Sequence, residues 1–221
     1  MRRHGLVALL LMGVLGEATA LAGQAPGTGQ SGPRALMALA EEVALARSAA
    51  PASVSDDADI WVLERSGYRL AVEGTNGVAC MVSRDWIESV EPICYDPEAA
   101  ASIMQIAIRR LDLLHAGRSV TDVDRLVAED LFAGRLRLPQ RPALAYMMSR
   151  RQQLIDPSGN PVGPWQPHLM IYHPFLTAGV LGLPAAGAPE AAMVFDEGTP
   201  TASMVIVVPA FTAADGSASR R

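Results

Sequence analysis

Lysine is absent: all 18 basic residues of this 221-residue chain are arginine. That absence removes every mechanism that needs a side-chain amine, among them a Schiff-base lysine, the lysine of a phosphate-binding loop and a Ser-x-x-Lys nucleophile pair. A nucleotide bias towards arginine codons explains the lack more simply than selection for guanidinium chemistry. Cysteine is scarce as well, with Cys80 and Cys94 alone, so there is no Cys-x-x-Cys redox pair. A Gly-x-Ser-x-Gly elbow, a phosphate loop and a dinucleotide fingerprint are all missing. No apolar run approaches the roughly 20 residues that cross a bilayer. With a formal net charge of −5, nucleic acid is not expected as a partner.

What is present begins with a leader. Arg2, Arg3 and His4 precede an almost wholly apolar run from Leu6 to Leu15, and Ala20-Leu21-Ala22 follows before Gly23. This is the pattern of a secretory signal peptide over residues 1–22, cut after Ala22 or, by the Ala18-Thr19-Ala20 alternative, after Ala20. Cleavage would remove Arg2, Arg3 and Glu17 and leave the chain one charge more negative. No Cys stands near the cut, so no lipid anchor is available, and no transmembrane anchor is expected once the leader is gone. Residues 23–32 are rich in Gly, Gln, Ser and Pro and read as a flexible lead-in. Half the residues are apolar, enough for a single core over 33–211, with a disordered tail over 212–221.

Within that domain, Leu36, Leu39, Val43 and Ala46 recur at helical spacing behind Pro33, and Pro51 stops the run, so a helix is expected over Pro33 to Ser48. Asp56, Asp57 and Asp59 make an acidic segment that is a solvated turn or, less fittingly, a calcium loop without its Gly and distal Glu. Residues 59–83 hold three apolar-rich runs joined by Ser66-Gly67 and Asn76-Gly77, read as a three-stranded meander with Leu63 opposite Leu70, Val72 opposite Met81 and Glu64 opposite Arg69. Asp96-Pro97-Glu98 is a helix start, with a stripe from Ala100 to Leu114 and Gly117 at its end. Ser119 with Asp122 opens a second helix that Gly134 closes. These two form a helical hairpin. Further strands are expected over Ala143 to Arg151, His168 to His173, Ala192 to Phe195 and Ser203 to Val208, with a turn-rich 156–167 and a long loop over 174–190. The fold class is α+β: an antiparallel sheet of about six or seven strands with an N-terminal helix and the hairpin packed on one face.

Few groups point to chemistry. The even cysteine count of an exported chain points to a Cys80–Cys94 disulfide, closing a loop worth on the order of 3 kcal/mol. His168 and His173 are five apart and on opposite faces of a strand, so no metal site and no cofactor are expected. Met147, Met148, Met170, Met193 and Met204 fall in candidate strands, where thioethers fill cores more often than they bind Cu(I). A Ser/His/Asp set could draw on Ser149, His168 or His173, and Asp156 or Asp196. From Arg135 to Arg151 there are five arginines and no carboxylate. If the strands near Tyr146 and His168 pair, one set of faces carries Tyr146 and Arg150 and another His168 and Tyr172, beside a loop holding Trp165. Brought together, these five would suit a small anion or a saccharide.

Gly74-Thr75-Asn76-Gly77 followed by Cys80, then Pro92-Ile93-Cys94, Tyr146-Met147-Met148-Ser149 and Trp165-Gln166-Pro167-His168-Leu169-Met170, resemble a group of short exported bacterial proteins of unknown function over most of residues 43–210. The resemblance implies a periplasmic or extracellular location and assigns no substrate or catalytic residue. Two classes of function stay open: a binding or interaction domain, and a small exported hydrolase using residues of 146–173.

Overall fold

The computed structural model describes residues 36–84, 89–155, 160–161, 166–184, 192–212 and 218–220, so the leader, the lead-in, Asp156 and Trp165 lie outside it. Two adjacent strands organise the rest: β3 (Ala79–Ser83), buried at all five positions, and β4 (Glu91–Tyr95), buried at four. Successive strand residues point to opposite faces, so an unbroken buried run means that both faces are covered. On one face Ala79, Met81, Ile93 and Tyr95 join a core with helices α3 (Pro97–Ala100), α4 (Ile103–His115) and α5 (Val120–Phe132). On the other, Cys80, Val82 and Cys94 pack with Leu45 and Ala46 of α1 (Leu39–Arg47), which the one-turn α2 (Ala52–Ser55) follows. The N-terminal helix and the helical hairpin were expected on one face; they lie on opposite faces of the sheet, in three layers.

The remaining strands are β1 (Asp59–Glu64), β2 (Gly67–Val72), β5 (Ala143–Met147), β6 (His168–Tyr172), β7 (Met193–Phe195) and β8 (Ser203–Val207). They complete an eight-stranded sheet of order β2-β1-β3-β4-β5-β6-β8-β7, antiparallel except between β1 and β3. The β1–β2 hairpin is present, but the meander is not: β3 pairs with β1, in parallel, on the side away from β2. The acidic segment explains the crossover. Asp57 O accepts from the amides of Thr75 and Asn76, Asp59 Oδ1 accepts from Gly74 N at 2.7 Å, and Asp59 N donates to Val78 O. These bonds hold the 73–78 loop against the entry to β1. A Cβ on Gly74 would sit 2.3 Å from the carbonyl carbon of Ala58, so only glycine lets the two backbones meet.

Inside the hairpin the turn is Arg65-Ser66, not Ser66-Gly67, and Gly67 opens β2 with φ 114°. Sliding the turn by one residue moves each partner by two, which preserves the faces. Leu63 therefore stands opposite Tyr68 and Trp61 opposite Leu70. Tyr68 reaches across to donate its hydroxyl to Val82 O at 2.6 Å, a bond that anchors the observed register.

The hairpin helices follow their caps. Asp96 Oδ1 accepts from Ala99 N at 2.7 Å, Ser119 Oγ from Asp122 N at 3.2 Å, and Gly117 and Gly134 take positive φ after α4 and α5. One expected helix divides into α3 and α4, because Ser102 turns out of helical geometry and donates its hydroxyl to Glu98 O. At the C-terminus, β9 (Ala210–Thr212) pairs with β10 (Ala218–Arg220) in a small second sheet. Thr212, the first residue of the tail expected to be disordered, is buried and donates its hydroxyl to Ser48 O at the end of α1.

Candidate functional site

The disulfide forms between directly opposed residues of β3 and β4, Cα–Cα 4.0 Å, on the α1 face. Of the five residues expected to converge, the four described ones do not. Met147 stands opposite His168 in the β5–β6 ladder and Ala143 opposite Tyr172, so His168 and Tyr172 share the helical-hairpin face while Tyr146 projects to the α1 face. Burial, followed by the nearby Asp96 charge, raises the Tyr146 pKa. His168 is 3% exposed; burial lowers its pKa, and its Nδ1 donates to Gln166 O at 2.8 Å. Arg150 lies beyond the end of β5 with its guanidinium 4.5 Å from the centre of the Phe211 ring, a cation–π contact. Trp165 lies outside the described residues.

The nucleophilic set fares no better. The buried Ser48 hydroxyl donates to Leu45 O, so in the 2.7 Å Ser48–Ser149 contact Ser149 is the donor, and its oxygen accepts from Arg151 N. Its one proton is committed to a hydroxyl, not to an imidazole. Asp196 is exposed at φ 51°, and Asp156 lies outside the description. Among the described residues, no three His, Cys, Asp or Glu side chains gather as a metal ion would need. The arginine-rich stretch is largely neutralised: Arg137 and Arg141 pair with Glu98, Arg135 with Asp130 and Arg151 with Glu41.

A different place has the features of a site. An open cleft of about 500 Å³ separates the start of α1 from the β1–β2 hairpin. Leu36 and Leu39 form one wall and are both exposed, and α1 begins at Leu39 and not at Pro33. Val62 and Leu63 form the other. The turn residues Arg65 and Ser66 make the rim, where Arg69 and Glu64 pair at 2.6 Å.

Glu42 is the most buried of the residues that line the cleft, 1% exposed. Its Oε1 accepts from Leu63 N and from Arg84 Nη2, both at 3.1 Å, in an ion pair whose two side chains are almost fully buried. Burial raises the carboxyl pKa, and the Arg84 charge and the Leu63 amide only partly offset it. Oε2 takes no hydrogen bond among the described residues, yet it is not sealed from solvent. A buried carboxylate with one satisfied and one open oxygen, in a cleft with apolar walls, can accept a hydrogen bond from a molecule seated there.

Sequence reasoning passed over Glu42 because the apolar stripe was drawn through Leu36, Leu39, Val43 and Ala46. The buried positions of α1 are Glu42, Leu45 and Ala46, spaced i, i+3 and i+4. A glutamate in that phase was the available signal. Comparison with protein-family models, curated proteins and solved structures finds no match to this chain.

Proposed function

We propose that this chain is an exported binding domain, of the kind its motifs resemble, which acts in the periplasm or outside the cell and seats a small ligand in the cleft between α1 and the β1–β2 hairpin. The observation that carries the reading is the half-satisfied Glu42 carboxylate among apolar walls: a purely structural ion pair gains by occupying both oxygens. Export is supported by the leader pattern and by a disulfide in the middle of the sheet. No helix among the described residues is long and apolar enough to cross a membrane.

Two experiments test it. Protein expressed with its leader and recovered from outside the cytoplasm is expected to begin at Gly23, or at Leu21 by the second cut, and to take up no alkylating reagent without reductant. Retention of Met1, or two alkyl groups by intact mass, contradicts export. For the cleft, the uncharged fluorophore N-phenyl-1-naphthylamine is expected to bind and brighten, and Leu39→Glu, which places a charge on an exposed wall position, is expected to abolish the signal while leaving the melting temperature unchanged. Binding that survives Leu39→Glu places the ligand elsewhere.

A further inference from the structure

Resting on the cleft reading, we infer the class of ligand: an uncharged molecule with an apolar body and a terminal hydrogen-bond donor, such as a hydroxyl or an amide N–H, whose donor meets Glu42 Oε2. The cleft volume of about 500 Å³ suits a small molecule and not a folded partner. Its walls are Leu36, Leu39, Val62 and Leu63, which offer contact area and no hydrogen-bonding side chain. Side-chain polarity at the floor is confined to one acceptor, since a carboxylate oxygen whose partner Oε1 already takes two donors can only accept while it stays ionised.

Charge decides between the possible heads. Glu42 is already countered by Arg84 at 3.1 Å, so the carboxylate does not lack a cation. An ammonium head would bring a second cation to a carboxylate that already holds Arg84 and is 1% exposed, and a carboxylate head would face Glu42 itself. Arg65 could meet an anion only at the rim, where it is exposed and solvent screens the attraction. A neutral donor satisfies the open oxygen without changing the charge of the floor. A hydrogen bond to an ionised group is among the stronger ones, so its presence is expected to be read directly in affinity.

The test is displacement of N-phenyl-1-naphthylamine at pH 7.5 by four probes of similar length: decan-1-ol, 1-methoxynonane, decylamine and decanoate. Decan-1-ol and 1-methoxynonane have the same number of heavy atoms and differ in the donor. Decan-1-ol is expected to bind about tenfold more tightly than 1-methoxynonane, decylamine and decanoate. In the variant Glu42→Leu/Arg84→Leu, which removes both buried charges together so that neither is left unpaired, the reporter is expected still to bind while the advantage of decan-1-ol over 1-methoxynonane falls below about twofold. Equal binding of alcohol and ether by the parent protein, or preference for decanoate or decylamine, overturns the ligand class but leaves the cleft reading standing if Leu39→Glu still abolishes the reporter signal. Absence of reporter binding to the parent protein overturns both. An alcohol preference that survives in the double variant also overturns the assignment to Glu42.

Discussion

Glu42 and Glu98 are both buried carboxylates facing arginine, and they differ in how completely they are answered. Glu98 receives Arg137 and the backbone amide of Gln140 on one oxygen, both at 2.8 Å, and Arg141 on the other at 3.3 Å. The Gln140 amide, then the Arg137 hydrogen bond, lower its pKa from 4.5 to about 2. It fastens α3 to the segment leading into β5. Glu42 has one arginine and one amide on a single oxygen, and burial prevails over both, so its pKa is raised. Asp130 follows Glu98: hydrogen bonds from Arg109 and Arg135 hold its pKa down. A carboxylate that closes a fold has its oxygens occupied and titrates low. Glu42 differs on both counts: one oxygen stays open and burial disfavours its charge.

The largest effect expected from breaking this contrast is that of Arg84→Met. It leaves Glu42 buried and without its cation, and is expected to cost about 3–5 kcal/mol at pH 7 by urea denaturation. A loss below about 1 kcal/mol would mean that the pair is solvated and the floor wet. Glu98→Gln is expected to lower the melting temperature at pH 7 by less than Arg84→Met, because Arg137 and Arg141 are largely exposed and return to water.

The pH dependences sharpen the comparison because their signs are opposite. A carboxyl with a lowered pKa contributes stability that is full above 4.5 and lost as the pH falls towards about 2. A raised one contributes stability that is full below 4.5 and lost as the pH climbs through its folded value, because the folded state holds that proton more firmly. Between pH 6 and pH 3, Glu98→Gln is therefore expected to lose less stability than the parent protein. Glu42→Leu/Arg84→Leu is expected to lose more. Like shifts in the two variants would show that the carboxylates are alike. The smallest effect is that of the same double variant at pH 7, which is expected to match or exceed the parent in stability, since exchanging a buried pair for apolar side chains is neutral or favourable.

The contrast also marks how far the sequence could be read. The Glu98 end was legible at its start: Asp96-Pro97-Glu98 announces a capped helix, and Ser119 and Gly134 bound the next one, because caps are local and use the chain's own neighbours. That Glu98 would gather arginines from 137 and 141 was not legible, since those contacts span some forty residues. The β1–β2 hairpin was visible, whereas its register depended on the Tyr68 hydroxyl finding Val82 O on another strand, and the parallel β1–β3 pairing on Gly74 meeting Ala58. The cysteine pairing was read from count and compartment, and the structure places the two residues directly opposite. The site constellation of Tyr146, Arg150, His168 and Tyr172 was not assembled because parity fixes faces within a strand and says nothing about register between strands. The cleft was missed for a related reason. Helical phase in α1 was assigned from Leu36 and Leu39, which the helix leaves exposed.

The central claim, that Glu42 belongs to a ligand and Glu98 to the fold, is tested most directly by a carbon-detected NMR titration of the side-chain carboxyls with and without decan-1-ol. Glu98 is expected to titrate near 2 and Glu42 above the usual glutamate value of 4.5, and the alcohol is expected to move the Glu42 resonance while leaving that of Glu98 in place. A Glu42 carboxyl that titrates at or below 4.5, or an alcohol that leaves its resonance unmoved, would contradict the account.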